Sequence, residues 1–491
     1  MEVNQEKRLT NKEVFGYSFY SIASLFGMIS FAFLNMFYPA LGMDMNLFST
    51  ALLIARIFDF VITLFVGGIM SKVHPKIGGG KYRPWLFICQ FVIYAGMVLL
   101  FTDFGSNTSR FIVVIIGSLM VNTTMSFIVT AQFGIIPQMA GASAIDRNRL
   151  TTWNYRMMTF GTVFTSASGA YILAWIGTMV SPPLNYTIMT AVFALFYFVG
   201  IAVLRKTAKP YDISDEVGGM GAPQVRLSDM VKAVTTNSQL LIYLLASTFA
   251  FTGMMAMMNV MIYYWQLIVP YTHNIPMSSS FPGLYTIGST LTTVASSIFA
   301  LIGPAIGMKL GKVKAMWVGL MLAACSGVLN AFFGSTFWGL YVGISFIGTF
   351  AAALYSGFGV NYALDCGEYG LWKTGKDNRL VIMSMTNMPM KISAIFGGFV
   401  LYALSGIGYD SLQVAAATTP IPGQEALFGQ IPAFVSAPGF VRNFMLLLGG
   451  IPAACNMIAA LLMLFAYKIS DKDATRYAQE NMAKMAPPPQ A

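Results

Sequence analysis

Long apolar stretches alternate with short polar segments along the whole chain. A transmembrane α-helix needs about 20 apolar residues, and every one of these stretches approaches or exceeds that length. The pattern therefore predicts an all-α polytopic membrane protein with twelve spans. The predicted spans lie at 15–40, 46–71, 86–103, 110–138, 151–178, 186–204, 238–268, 281–308, 313–333, 336–363, 381–408 and 440–468.

The positions of Lys and Arg predict which way the spans run. Basic residues cluster in alternate loops, such as 72–83 and 205–209, and in both terminal segments. The opposite loops offer little beyond Arg110 and Arg442. Loops rich in Lys and Arg stay on the cytoplasmic side, so both termini are predicted to be cytoplasmic.

The longest polar interruption on the predicted cytoplasmic side contains Gly, Pro and charges of both signs, and it divides the spans into two sets of six. Short motifs recur at matching places in the two sets, as in transporters built from repeats. The predicted parts are an N-terminal six-helix half, a cytoplasmic linker, a C-terminal six-helix half and a cytoplasmic tail, at 1–204, 205–237, 238–468 and 469–491.

Composition supports the membrane assignment. Of the 491 residues, 56% are hydrophobic and 10% are charged, whereas soluble domains carry about 25% charged residues. The net charge of +10 comes from short loops between spans, so topology explains it and nucleic-acid binding is not predicted. No cleavable signal peptide is expected in the charged first residues, and the inner membrane is the predicted location.

Two opposite charges lie in the middle of the second predicted span. Arg56 and Asp59 are three residues apart, so they share a helical face and can pair. A charge at the bilayer centre costs about 3 kcal/mol, so such residues usually face a polar cavity. Two interpretations stay open, which are a structural ion pair that fixes helix packing and a substrate or ion pathway.

Two more cations lie in the fifth and eleventh spans, which occupy equivalent places in the two halves. These are Arg156 and Lys391, and with Arg56 they leave an excess of positive charge over Asp59. A buried excess cation favours an anionic partner. Polar and aromatic residues suited to a sugar accompany them, although helix packing and the interfacial aromatic belt are the alternatives. These candidates are Tyr20, Gln132, Asn387 and Tyr263.

No enzyme signature is found. The glycine-rich segment 78–81 is followed by Tyr82 and does not complete a P-loop, so ATP is not the predicted energy source. Neither histidine has metal-ligand spacing, and the four cysteines are scattered. We therefore expect a transporter with neither a metal site nor a cofactor.

Four segments resemble motifs of the glycoside–pentoside–hexuronide:cation symporter family, to which the melibiose carrier belongs. Segment 55–59 is Ala-Arg-Ile-Phe-Asp and resembles the A-R-x-x-D of the second helix. Segment 80–85 is Gly-Lys-Tyr-Arg-Pro-Trp and resembles the loop that follows. Segment 365–369 is Asp-Cys-Gly-Glu-Tyr, and segment 390–394 carries the lysine of the eleventh helix. The matches occur in the family's order in both halves.

The resemblance implies a major facilitator fold with alternating access and a sugar site between the halves. It assigns cation coupling to Asp59, with Arg56 beside it, and substrate binding to Arg156 and Lys391. It also implies a cytoplasmic gate in which acidic residues pair with basic loop residues; solvated loop charges are the alternative. The gate residues are Asp365 and Glu368, with Arg147 or Arg149 as partners.

The chain departs from the family pattern at several positions. Thr63 stands where the melibiose carrier has a second carboxylate one turn after the first. The two carboxylates that hold a neutral sugar fall near Ala23 and Val129, and the aromatic residue of the fourth helix falls near Phe133. Sodium favours several oxygen ligands that include carboxylate, so the departures favour H⁺ over Na⁺, or a loss of coupling.

The resulting prediction is a secondary active symporter that imports a sugar or glycoside, in particular an acidic one such as a hexuronide. Its predicted partners are this small molecule, a coupling cation and the lipid bilayer; the oligomeric state stays open. The alternatives are an uncoupled facilitator or exchanger and a transporter of another organic anion on the same fold.

Overall fold

The structure is a computed structural model that describes residues 9–73, 75, 77, 79–140, 144–212, 227–356, 358–375, 382, 385–418 and 425–485. Within these ranges the regular elements are helices, and they contain no strand. The α-helices are α1 Asn11–Ala40, α2 Met45–Lys72, α3 Arg83–Leu100, α4 Asn107–Ala140, α5 Ala144–Met179, α6 Leu184–Ala208, α7 Leu227–Thr236, α8 Ser238–Tyr263, α9 Val269–His273, α10 Tyr285–Leu310, α11 Lys312–Phe333, α12 Trp338–Ser356, α13 Gly359–Thr374, α14 Met388–Gly406, α15 Ser411–Thr418, α16 Phe440–Met445, α17 Ile451–Leu461 and α18 Asp471–Met485.

Several long segments combine α-helix with turns of π-helix. One π turn, Tyr264–Ile268, joins α8 to α9, and another, Ser279–Leu284, leads into α10. Two further π turns flank α17, so that Phe440–Ala466 forms one span. Three-residue and four-residue 3₁₀ turns lie at Glu425–Leu427 and Ala433–Ser436.

Polar side chains satisfy free backbone N–H groups at the starts of α1, α2 and α8. Thr10 and Glu13 form a capping box at α1, in which each side chain accepts the backbone N–H of the other residue. Asp44 accepts N–H groups of the first turn of α2, and Asn237 does so for α8. Caps of this kind satisfy backbone donors that have no partner within the helix.

The chain forms two compact units. The first unit contains α1 to α6 together with the segments Pro276–Thr290 and Asp410–Pro432. Its core lies among α1, α3, α4 and α6 and includes Tyr17, Tyr20 and Tyr197. The boundaries predicted for the two halves, the linker and the tail stay a prediction.

The second unit contains α7 to α9, most of α10, α11 to α14, and α16 to α18. Its core includes the buried aromatic residues Tyr243, Tyr362 and Tyr467. The C-terminal helix α18 packs on α13, and the rings of Tyr477 and Trp372 lie 4.7 Å apart. Trp372 Nε1 also donates a hydrogen bond to Glu480 Oε2 at 2.6 Å.

Among the described residues, eleven helical segments are long and apolar enough to cross a membrane. The predicted first span coincides with α1, whose side chains at 27–32 lie outside the described set. The all-helical membrane architecture is confirmed, while the count of twelve spans and the cytoplasmic location of the termini stay predictions.

The structure also contains helices at places where the hydropathy pattern gave loops. α7 lies within the predicted linker, α15 between the predicted spans 381–408 and 440–468, and α18 within the predicted tail. The predicted tenth span, 336–363, is built from α12 and the start of α13. These extra helices are short or amphipathic, so a search for 20-residue apolar stretches passes over them.

Candidate functional site

The charged face of α2 lies beside α4. The carboxylate of Asp59 is buried, with 5% of the residue exposed, and Arg56 lies one turn earlier and is half-buried. Thr63 Oγ1 lies 3.4 Å from Asp59 Oδ1 and 3.1 Å from Ser126 Oγ on α4. The residue that replaces the family's second carboxylate is therefore in contact with the first.

This arrangement places the Asp59 carboxylate next to the Thr63 hydroxyl, which in turn contacts the Ser126 hydroxyl. Ser126 Oγ also donates to the carbonyl oxygen of Asn122 at 3.2 Å. The hydroxyl of Thr63 can donate to Asp59 while it is ionised and can accept from it once it is protonated. The described residues contain no group of three or more His, Cys, Asp or Glu side chains arranged to hold a metal ion.

A polar junction joins α1, α4 and α5 in the first unit. Gln132 Nε2 donates to Asn154 Oδ1 at 3.1 Å, and Ser21 Oγ donates to the same oxygen. Tyr17 OH donates to the backbone carbonyl of Gln132 at 3.2 Å. Gln132, a predicted substrate ligand, therefore has partners inside its own unit. Asn154 was not predicted, because one amide in an apolar span carries no distinctive spacing.

Tyr20, another predicted substrate ligand, faces α6. Its hydroxyl lies 3.1 Å from that of Tyr197, and the two rings are 5.8 Å apart. Tyr20 is almost fully buried. The tyrosine pair satisfies both hydroxyls, as buried polar groups require.

Two predicted ligands of the first unit are accessible. Arg156 on α5 is exposed, and its guanidinium carbon lies 5.4 Å from the centroid of the Trp153 ring. Phe133 on α4 has 57% of its surface exposed. A cation held over an aromatic face keeps its charge and its N–H donors available. Arg156 can therefore receive an anion through two hydrogen bonds.

The second unit carries the remaining predicted ligands. Lys391 is half-buried in the first turn of α14, and the exposed Asn387 directly precedes that helix. Near Lys391, Ser393 Oγ donates to the carbonyl oxygen of Thr248 on α8 at 2.7 Å, which fixes α14 against α8. Tyr263 is fully buried.

The predicted gate residues have partners within their own units. Lys312 Nζ lies 2.6 Å from Asp365 Oδ2 and 3.8 Å from Asp471 Oδ1. Glu368 accepts Asn481 Nδ2 of α18 at its backbone oxygen, at 3.0 Å, and at its carboxylate, at 2.8 Å. These contacts bring the C-terminal helix to both acidic residues of the 365–369 segment.

On the first unit, Arg149 Nη1 lies 2.7 Å from Asp146 Oδ1 and donates to the carbonyl oxygen of Leu9 at 2.8 Å. The side chain of Arg147 lies outside the described residues. The gating roles of these four residues, and the binding and coupling roles above, stay predictions.

The sequence matches the profile of the MFS/sugar transport protein family over residues 17–471. The chain belongs to this family. The resemblance to a melibiose-carrier-like symporter is thereby confirmed, and so is the prediction of a membrane transporter of the sugar-transport type.

Named relatives are similar over nearly their full length. The symporter YjmB of Bacillus subtilis is 22% identical over 98% of this chain and 97% of its own. A sulfoquinovose importer of Salmonella typhimurium is 25% identical over 89% of this chain and 85% of its own. The chain is similar to both proteins over most of its length.

The fold is shared with solved transporter structures. A bacterial homolog of the human lysosomal transporter Spinster, in an inward-facing and unoccupied conformation, superposes with a TM-score of 0.61 at 12% identity. The match covers 92% of this chain and 97% of that chain. The protein is a multi-pass transporter of the major facilitator type that carries a sugar-type small molecule, and it is not an enzyme.

Proposed function

We propose that this protein is a symporter of the bacterial inner membrane that imports an acidic sugar together with a proton. The observation that carries this proposal is the exposed Arg156, whose guanidinium stands over Trp153 while the family's sugar-holding carboxylates are replaced near Ala23 and Val129. The cation attracts an anionic sugar, and the carboxylates that would repel such a sugar are replaced.

The name of one relative supports an anionic substrate. The importer from Salmonella typhimurium is named for sulfoquinovose, a sugar with a sulfonate group. Carboxylates and sulfonates both present planar or trigonal sets of oxygens to a guanidinium, which binds two of them at once. The proposed substrate class is therefore a hexuronide or another glycoside bearing a carboxylate or sulfonate.

Proton coupling is proposed from the surroundings of Asp59. Its contact with Thr63 supplies a hydroxyl where a second carboxylate would make a stronger sodium site. A single buried carboxylate can carry one proton across the cycle, and Arg56 lies one turn away on α2. The coupling step is then the protonation of Asp59.

The test is uptake by purified protein in proteoliposomes. Glucuronides and sulfonated glycosides are compared with neutral glycosides under an imposed pH gradient, an imposed Na⁺ gradient, or none. We expect acidic glycosides to accumulate only with the pH gradient. Full competition by neutral glycosides, with none by acidic ones, would overturn the proposed substrate class.

Asp59→Asn separates coupling from binding. We expect this variant to lose gradient-driven accumulation while it keeps exchange of acidic glycosides between the two sides. Asp410→Asn, in a loop of the first unit, serves as the matched control and should leave accumulation unchanged. If the wild-type protein equilibrates substrate without any gradient response, an uncoupled exchanger replaces the symporter.

A further inference from the structure

A carboxylate joins the end of α6 to the beginning of α3 in the first unit. Asp212 follows α6 closely in the chain, and its two oxygens accept three consecutive backbone N–H groups. Oδ1 accepts the N–H of Lys81 at 2.9 Å, and Oδ2 accepts those of Tyr82 at 3.0 Å and Arg83 at 2.7 Å. Since α3 begins at Arg83, Asp212 acts as a distant N-cap for that helix.

The second unit contains the corresponding contact. Asp471 follows the last membrane span, which ends at Ala466, and its Oδ2 accepts the backbone N–H of Lys312 at 3.1 Å. Lys312 is the first residue of α11. α3 and α11 are the third long helices of the two predicted halves, and both carboxylates come just after the sixth.

A glycine with a positive φ precedes each capped helix. Gly80 has a φ of +85° and Gly311 a φ of +87°, a region that residues with a Cβ rarely adopt. A Cβ on Gly80 would lie 2.4 Å from Asp212 Oδ2, and one on Gly311 would lie 2.9 Å from Asp471 Oδ2. In both units the glycine therefore permits the turn and leaves space for the carboxylate.

The helices joined in this way also pack along their length. In the first unit, Phe91 of α3 and Phe198 of α6 have ring centroids 5.1 Å apart, and the Arg205 guanidinium stands 4.6 Å from the centroid of the Phe87 ring. In the second unit, a Cβ on Gly327 of α11 would lie 3.0 Å from the Cβ of Ala453 on α17.

We propose that Asp212 and Asp471 are equivalent straps, one in each structural repeat, that fasten the N-terminus of the third helix to the chain leaving the sixth. Each strap keeps the start of its third helix and the end of its sixth together. This inference does not depend on which substrate or ion the protein carries.

The two straps differ in strength, and this difference makes the proposal quantitative. Asp212 is buried and accepts three N–H groups, whereas the Asp471 side chain is 45% exposed and accepts one backbone N–H. Asp212→Asn is disruptive, because both oxygens accept backbone N–H groups and an amide NH₂ would place a donor against one of them. Asn at position 471 can still accept the single N–H through its amide oxygen, so Asp471→Asn removes mainly the charge. Asp212→Asn should therefore have the larger effect.

The test is hydrogen exchange of the full-length protein in lipid nanodiscs, read in peptides that cover residues 79–87 and 309–316. Asp212→Asn should raise exchange in the first peptide at least tenfold and leave the second unchanged. Asp471→Asn should raise exchange in the second peptide alone, by a smaller factor. Unchanged exchange, or a rise in both peptides from one substitution, would overturn the proposal.

A pair of glycines supplies the control for backbone strain. Gly79 also has a positive φ, of +68°, but nothing lies within 4 Å of the position of its Cβ. Gly80→Ala should reproduce the exchange pattern of Asp212→Asn, while Gly79→Ala should not. Equal effects of the two substitutions would show that strain in the turn, and not the carboxylate contact, protects this segment.

Discussion

Thr63 on α2 contacts Ser126 on α4, with 3.1 Å between their hydroxyl oxygens, and the same Thr63 hydroxyl lies 3.4 Å from Asp59 Oδ1. The two helices therefore meet at the proposed coupling carboxylate. The side chain at position 63 decides how many anionic oxygens the site offers, and the choice of coupling ion should follow from it.

Thr63→Asp is predicted to shift coupling towards sodium. A second carboxylate one turn from Asp59 adds an anionic oxygen ligand and raises the affinity for a cation that needs several of them. Uptake of an acidic glycoside in proteoliposomes should gain stimulation by an imposed Na⁺ gradient. Thr63→Asn has similar size without the charge and should remain insensitive to Na⁺; an equal response of the two variants would contradict the prediction.

Arg156→Gln is predicted to weaken binding of acidic glycosides at least tenfold. The substitution removes a charged hydrogen-bond donor, and such a bond contributes about 1.5 to 3 kcal/mol. The affinity for acidic and neutral glycosides is measured by competition. Arg442→Gln, which removes a cation at the start of the last span, is the control substitution and should leave both affinities unchanged. An equal loss for both classes of glycoside would assign Arg156 a structural role.

Asp365→Asn is predicted to lower the free energy of unfolding by about 1 to 2 kcal/mol, because Lys312 would lose its charged partner at 2.6 Å. Asp473 forms a more exposed pair with Arg476, at 3.3 Å, and accepts a hydrogen bond from Ser470 Oγ at 2.6 Å. Since Asn can still accept from Ser470, Asp473→Asn should change stability by about 0.5 kcal/mol or less. Thermal unfolding of the two variants in detergent gives the comparison. A larger loss of stability in Asp473→Asn than in Asp365→Asn would contradict this prediction.

The loop between α3 and α4 should respond to acid. Hydrogen bonding to Arg110 lowers the pKa of the Asp103 carboxyl below its usual value of 3.8. A carboxyl with a lowered folded-state pKa stabilises the protein above its unfolded-state pKa, and this contribution is lost as pH falls through the folded-state value. Asp103→Asn should therefore unfold at lower temperature than wild type at pH 7 and pH 5. The difference should shrink as pH falls below the usual carboxyl pKa of 3.8 towards the lower folded-state value.

The helices could be predicted because a bilayer requires long apolar segments, and that requirement is written in the sequence directly. The contact between Asp59 and Thr63 could also be expected, since four residues on a helix return to the same face. The polar junction at Asn154 could not, because it depends on the packing of three helices. Neither could the role of Asp212, whose partners lie far away in the chain and are backbone groups of any residue type.

The contacts between α18 and the segment 365–369 attach the C-terminal helix to α13. Asn481 donates to Glu368, and Trp372 donates to Glu480, although these residues are distant in sequence. A change after the last span therefore alters the hydrogen bonds of Glu368. An affinity tag or a deletion that unseats α18 would alter the surroundings of both acidic residues there. Measurements of transport are therefore best made with the tag at the other end of the chain.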